Sequence, residues 1–345
     1  MLSVFNPLTR PSATLSPQGG EREGARGASN SDDFALLASA KMKMLDARGR
    51  RIRPHLDDKI LASWNGLMLG AMARAYAVLG DEKYLAAAEK NLRFVQAKLW
   101  QQGSESRLQA VGPAEAGTPN KESCGTLFHR WRDCERDNVQ LLEAYAFQLS
   151  GVIDLYEAAI EPKHLDFAIS LAEAMIAKFY DPENGGFWQS AAAGAKDLIL
   201  RVKDDYDGAE PSGNSIATLA LLKLAAITGR DDFKRPAEAT LRLFAHRLQN
   251  FPQAMPVMLQ VLDFQLEEPR RVVIAGNPRD AKVRELLRAA HSVYQTNKVV
   301  LGNTGAVEEF ARTLPAKDGP VVYLCTGNSC QPPAQDAAKV REMLE

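Results

Sequence analysis

One pattern limits this chain more than any other: an apolar helix, a tight polar turn and an amphipathic helix recur three times. Residues 67–79 turn at Gly80-Asp81-Glu82 into 83–99; residues 145–160 turn at Glu161-Pro162 into 163–179; residues 215–228 turn at Gly229-Arg230-Asp231 into 232–248. The turns keep register, with Gly80-Asp81-Glu82-Lys83-Tyr84-Leu85 matching Ile160-Glu161-Pro162-Lys163-His164-Leu165 and Gly229-Arg230-Asp231-Asp232-Phe233-Lys234. A helical hairpin that buries its face only against copies of itself predicts a solenoid or a closed α/α toroid. A fourth helix follows over 254–266.

Beyond it the period changes. Apolar runs at 271–276, 298–301 and 320–324 alternate with helical patterns at 280–290 and 306–314. That alternation predicts a small α/β unit with a mainly parallel sheet, bounded near Glu268-Pro269. Ahead of the hairpins, 34–45 reads as a helix, and residues 1–33 form a Pro-, Ser- and Gly-rich leader expected to be disordered. Residues 101–122 read as a flexible insertion into the helical part, which spans 34–268.

Composition excludes several classes of function. With 42 basic and 43 acidic residues among 345, there is no basic excess to meet nucleic acid. Arg74 and Lys223 interrupt the longest apolar runs, so no membrane span is expected. Four cysteines are too few for a disulfide scaffold, and with no secretory leader the chain reads as cytoplasmic. Cys325 and Cys330 have a C-x4-C spacing that matches neither a redox C-x-x-C nor half of a paired zinc site. No metal and no cofactor is expected.

The chemistry-bearing residues fall on connections that lead into the first helix of a hairpin, and stacked hairpins bring such connections to one rim. They are His55, Asp57, Asp58, Trp64 and Asn65; His129, Arg130, Trp131 and Asp133; and Asp205, Tyr206, Asp207, Ser212 and Asn214. Asp57 or Asp58 facing Asp204, Asp205 or Asp207 across a cleft would supply the acid and base of glycoside hydrolysis. His55 and His129 would move a proton beside a carbonyl, as sugar epimerisation requires. Trp64, Trp131 and Trp188 offer flat rings on which sugars stack. Each feature also has a plain structural account: carboxylates favour the positive end of a helix, Ser212 and Asn214 are helix-capping residues, and tryptophans fill cores.

The motifs carry a family resemblance. Arg53-Pro54, Asp57-Asp58-Lys59-Ile60-Leu61, Ser63-Trp64-Asn65-Gly66-Leu67-Met68, His129-Arg130-Trp131-Arg132-Asp133, Asp205-Tyr206-Asp207-Gly208-Ala209, Pro211-Ser212-Gly213-Asn214-Ser215, Ala254-Met255-Pro256, Val273-Ile274-Ala275-Gly276, Asn297-Lys298-Val299-Val300 and the final Cys325 to Cys330 stretch occur in order. In this the chain resembles the thioredoxin-domain proteins related to spermatogenesis-associated protein 20. The resemblance implies a mainly α fold: a partial (α/α)6 six-hairpin glycosidase-like toroid over 34–268, then a small α/β subdomain over 269–345. The family's thioredoxin-like domain and the first part of its toroid have no counterpart here. Ala144 stands where the family tends to carry a carboxylate, which reads as the loss of one rim acid.

Two functions follow as expectations. The first is a carbohydrate-binding or carbohydrate-modifying fragment, with a small sugar as ligand and no turnover when alone, because half a toroid supplies one wall of a cleft. The second is a non-catalytic scaffold for a thioredoxin-like domain encoded separately. The sequence leaves open whether the chain is an enzyme.

Overall fold

The computed structural model describes residues 30–103, 124–191, 199–316, 318–327 and 329–345. Most of the expected 101–122 insertion and leader lie outside these residues. Two compact units are present, Asn6–Asp58 and Lys59–Glu345. In the first, α1 (Asn30–Gly49) is a solvent-exposed helix followed by exposed coil through Asp58.

In the second unit, β1 (Ile60–Leu61) leads into α2 (Ala62–Leu79) and α3 (Glu82–Phe94). Short strands β2 (Trp100–Gln101), β3 (Thr126–Leu127), β4 (Arg130–Arg132) and β5 (Glu135–Arg136) follow, with β4 antiparallel to both β1 and β5. The hairpins continue as α4 (Leu142–Ala159) with α5 (Pro162–Phe179), then α6 (Gly213–Thr228) with α7 (Asp231–Asn250), and α8 (Pro256–Leu266) comes last. The expected hairpins are therefore present, with starts up to five residues earlier than the apolar pattern alone indicates.

Helices α2, α4, α6 and α8 form one parallel layer, each packed on the next. Glycine sets the closeness of the first pair. A Cβ on Gly66 would lie 2.5 Å from the Gln148 backbone nitrogen, and one on Gly151 would lie 2.4 Å from the Gly66 carbonyl oxygen. The second helices form an outer layer, tied by Lys163 to Glu89 at 3.3 Å and Arg230 to Glu173 at 2.8 Å. Tyr145, Tyr156, Phe147 and Phe179 fill the space between layers and are fully buried. Two parallel helical layers of this kind are what part of an α/α toroid requires.

The repeated turn has one physical core. Gly80, Ile160 and Gly229 occupy the same C-cap position and all adopt left-handed backbone, with φ of 71°, 47° and 72°. Gly does this without strain, whereas a β-branched residue does not. Ile160 is held there by burial: it is 1% exposed and packs with Val272, Ile274 and Val300 of the following α/β part.

That part comprises β6 (Arg270–Ala275), α9 (Ala281–Ser292), β7 (Lys298–Gly302), α10 (Glu309–Thr313), β8 (Val321–Thr326), β9 (Ser329–Cys330) and α11 (Ala337–Leu344). The sheet order is β7-β6-β8-β9, and only β6 with β7 is parallel, which corrects the expected mainly parallel sheet. The β8–β9 turn places Cys325 opposite Cys330, and the two form a disulfide. A spacing unlike any redox motif is thus a cross-strand pair, with Thr326 and Ser329 paired between the two cysteines.

The compact division falls at residue 58 rather than at 268. The physical reason is the edge of β7, whose backbone N–H groups are taken by α4: Val300 N donates to Glu157 Oε1 at 3.0 Å and Gly302 N to the Tyr156 hydroxyl at 3.2 Å. An open strand edge is thereby satisfied by helix side chains, which fuses the α/β part to the hairpins.

Candidate functional site

The N-terminal ends of the inner helices gather the predicted motifs. β1 delivers α2, β4 is paired to β1, and the 204–212 loop delivers α6, so Trp64, Asn65, His129 to Asp133, Asp205 and Asn214 all lie at this end. His55, Asp57 and Asp58 belong to the unit Asn6–Asp58 and are exposed there.

Many of the candidates hold the rim together. Asn65 is fully buried; its Nδ2 donates to the Leu61 carbonyl at 2.8 Å and its Oδ1 accepts from Asn91 Nδ2 at 2.8 Å. Asn214, also fully buried, receives Phe187 N on its Oδ1 at 2.7 Å and donates to the carbonyls of Phe187 and Asp204. Ser212 caps α6, its Oγ accepting from Ser215 N at 3.1 Å. Asp207 accepts Ser212 N at 2.9 Å on one oxygen and Val257 N at 2.8 Å on the other, so it clips the loop to the start of α8. Asp205 is 8% exposed and turned outward to Arg247 of α7 at 2.9 Å; burial raises its pKa and the Arg247 charge opposes that rise.

The middle motif is likewise architectural. Trp131 meets Phe94 edge to face at a 6.3 Å centroid distance, with Lys98 over its ring. Arg130 faces Asp137 at 3.7 Å. Asp133 and Cys134 have φ of 51° and 64° and form the β4–β5 turn. The His129 carbonyl accepts Ala62 N at 2.8 Å at the start of α2, and burial lowers the pKa of its ring.

What remains open to solvent is a smaller group. Trp64 is 45% exposed and its indole N–H donates to Glu210 Oε2 at 3.2 Å, linking the α2 start to the acidic loop. Tyr206 is 57% exposed on that loop. Glu143, in the first turn of α4, has its pKa raised, first by burial and then by the charges of Glu210 and Asp204, while a hydrogen bond with Ser63 opposes the rise. The site therefore combines two aromatic rings, one carboxyl pushed toward its neutral form and two carboxylates beside it. One protonated and one ionised carboxyl is the arrangement that acid–base chemistry on a glycoside uses.

Sequence reasoning missed Glu143 while dwelling on its neighbour. Ala144 is fully buried in the core, so a carboxylate there would not stand on the rim, and the rim acid of this helix is one residue earlier. The signal was the helical period: a shift of one residue rotates the side chain by about 100°. Among the described residues no cluster of His, Cys, Asp or Glu could hold a metal ion. Two cavities, of about 490 and 300 Å³, lie elsewhere, toward the other end of the helices.

No family model matches the chain. It is 35% identical over 318 residues to spermatogenesis-associated protein 20 of Mus musculus, a match that covers 90% of this chain and 39% of that one. The Homo sapiens protein of the same name is 34% identical over 319 residues with the same coverage. Among solved structures, a glycoside hydrolase family 76 mannosidase from Bacteroides thetaiotaomicron aligns at a TM-score of 0.41 and 16% identity, covering 55% of this chain and 45% of that one. A cellobiose 2-epimerase from Bacillus thermoamylovorans aligns at 0.41 and 15% identity, covering 56% and 46%.

Proposed function

The chain belongs among the relatives of spermatogenesis-associated protein 20, spanning 39% of the mouse protein's length, and from that premise we propose that its rim is one wall of a carbohydrate-binding cleft. The observation that carries this reading is the Trp64 indole N–H bonded to Glu210 beside the partly neutralised Glu143. Sugars take a flat ring on one face and carboxylates that accept their hydroxyls along an edge. Glu143, its pKa raised by burial, is the general acid of this arrangement and Glu210 or Asp204 its partner carboxyl, in place of Asp205 and Asp207.

Turnover is not expected of this wall alone, since acid and base act on a substrate fixed from both sides. The test is titration of intrinsic tryptophan fluorescence with a panel of mannose- and glucose-based oligosaccharides, alongside assays for hydrolysis and epimerisation. Saturable binding lost in Trp64→Ala, without turnover, supports the reading. Binding that survives Trp64→Ala, or no binding to any sugar, overturns it; turnover lost in Glu143→Gln would promote the chain to an enzyme.

A second reading has its own observation. On α2, Trp64, Leu67, Ala71 and Val78 are exposed at helical spacing, an apolar stripe interrupted by the charge of Arg74 along the flank of the inner layer. A stripe of that kind fits a scaffold that packs against another helical element or a separately encoded thioredoxin-like domain. Sedimentation of the purified chain, alone and with a thioredoxin-like partner, separates this from the carbohydrate reading.

A further inference from the structure

The C-terminal halves of α2 and α4, the middle of α6 and α8, and the segment from His291 to Val300 line a cavity of about 300 Å³. Its charges come from five elements. Arg74 of α2 meets Asp154 of α4 at 2.8 Å, and Lys223 of α6 meets Glu157 of α4 at 3.2 Å. Both carboxylates are buried, at 7% and 6% exposure. His291 of α9 is bonded through Nε2 to the Glu157 carbonyl at 2.9 Å, and burial lowers its pKa, so the ring adds no charge at neutral pH. Lys298 of β7 donates to the carbonyls of Ala290 and Val293 at 2.6 and 2.5 Å rather than to a carboxylate.

Three cations therefore face two carboxylates around a space large enough for a small organic molecule. Two of the cations are matched; the third shares Glu157 with Lys223 and has no carboxylate of its own, and one of its three donors is left over. Burial brings the Lys298 pKa down to about 8, a cost that a bound anion would remove. Gln260 of α8, exposed in the lining, is a polar group suited to hydroxyls. Tyr294 stands at the mouth and is 86% exposed.

We propose that this cavity binds a small polyhydroxylated anion, a sugar acid or a sugar phosphate, with Lys298 supplying the unmatched charge. The site lies at the opposite end of the helices from the rim and does not rest on the carbohydrate reading of the rim.

The experiment is isothermal titration calorimetry on the full chain with glucuronate, glucose 6-phosphate, inorganic phosphate and glucose. One of the two sugar anions is expected to bind, and the tighter one identifies the carboxylate or the phosphate as the source of charge. Lys298→Gln and Gln260→Leu should each weaken that binding by about tenfold or more. Gln260 is exposed, so its variant keeps the test open should the Lys298 variant fail to fold. Equal binding of glucose would overturn the proposal by removing the role of charge, and equal binding of inorganic phosphate would remove the role of hydroxyls. No binding of either sugar anion, or binding unchanged in a folded variant, would also overturn it.

Discussion

The two ends of the same four parallel helices carry opposite chemistry. At the N-terminal ends stand Glu143, Glu210 and Asp204 with exposed aromatic rings; at the C-terminal ends Arg74, Lys223 and Lys298 surround buried carboxylates. Helix dipoles favour this division, because anions are stabilised at the N-terminus and cations at the C-terminus. Coverage separates the ends further. The rim opens to solvent, whereas the far end is closed by β7 and α9, so one end can meet a large ligand and the other also serves as a joint.

The largest expected effect breaks the joint. In Glu157→Ala the edge of β7 loses the acceptor for Val300 N, and half-buried Lys223 loses its ion-pair partner. A loss of about 3–5 kcal/mol is expected in urea denaturation. A loss below about 1 kcal/mol would mean that the Glu157 carboxylate does not hold the joint, leaving it to apolar packing and the Gly302–Tyr156 bond.

Acid sharpens the contrast next. His164 lies at the turn between α4 and α5, is 2% exposed, and is held neutral with a pKa lowered to about 4 by burial. Its contribution is full above the unfolded value near 6.5 and is lost as pH falls through 4, up to roughly 3 kcal/mol. At the rim the sign reverses, since the raised pKa of Glu143 means protonation favours the folded state. Denaturation at pH 7 and 4.5 should show a net loss on acidification that His164→Phe reduces; an unchanged loss would place the acid sensitivity elsewhere.

Asp207→Ala tests the rim as a structure. Losing the bonds to Ser212 N and Val257 N removes a clip and a helix cap at once, for about 1–2 kcal/mol. The smallest effect belongs to Glu143→Gln, which relieves repulsion from Glu210 and Asp204 in a partly exposed place. It should stabilise the protein at pH 7 by a few tenths to about 1 kcal/mol after solvent screening. Destabilisation there would mean that Glu143 has a partner stronger than Ser63, and the acidic rim would need another account.

Legibility in the sequence differed by scale. The hairpins were readable because helical periodicity and left-handed turn positions are local properties, and Gly80 and Gly229 announce theirs directly. Ile160 announces nothing; only its packing on the α/β part explains a β-branched residue in that conformation. Motifs at the rim were readable as a cluster, yet Asn65, Ser212, Asp207 and Asn214 turned out to be fastenings. A polar side chain before a helix has the same composition whether it caps the helix or awaits a ligand.

By itself the sequence determined three helical hairpins, a change of period near residue 268 and the end of the helices at which the motifs collect, since each depends on residues close in the chain. Tertiary structure alone decided that β8 runs antiparallel, that Cys325 meets Cys330, and that β7 closes on Glu157. It also decided that Glu143 rather than Asp205 stands in the acidic group. Apart from the disulfide, which closes a tight hairpin only five residues apart, those outcomes depend on which surfaces meet across long separations in sequence, and burial, charge pairing and strand-edge satisfaction at such contacts have no local signature.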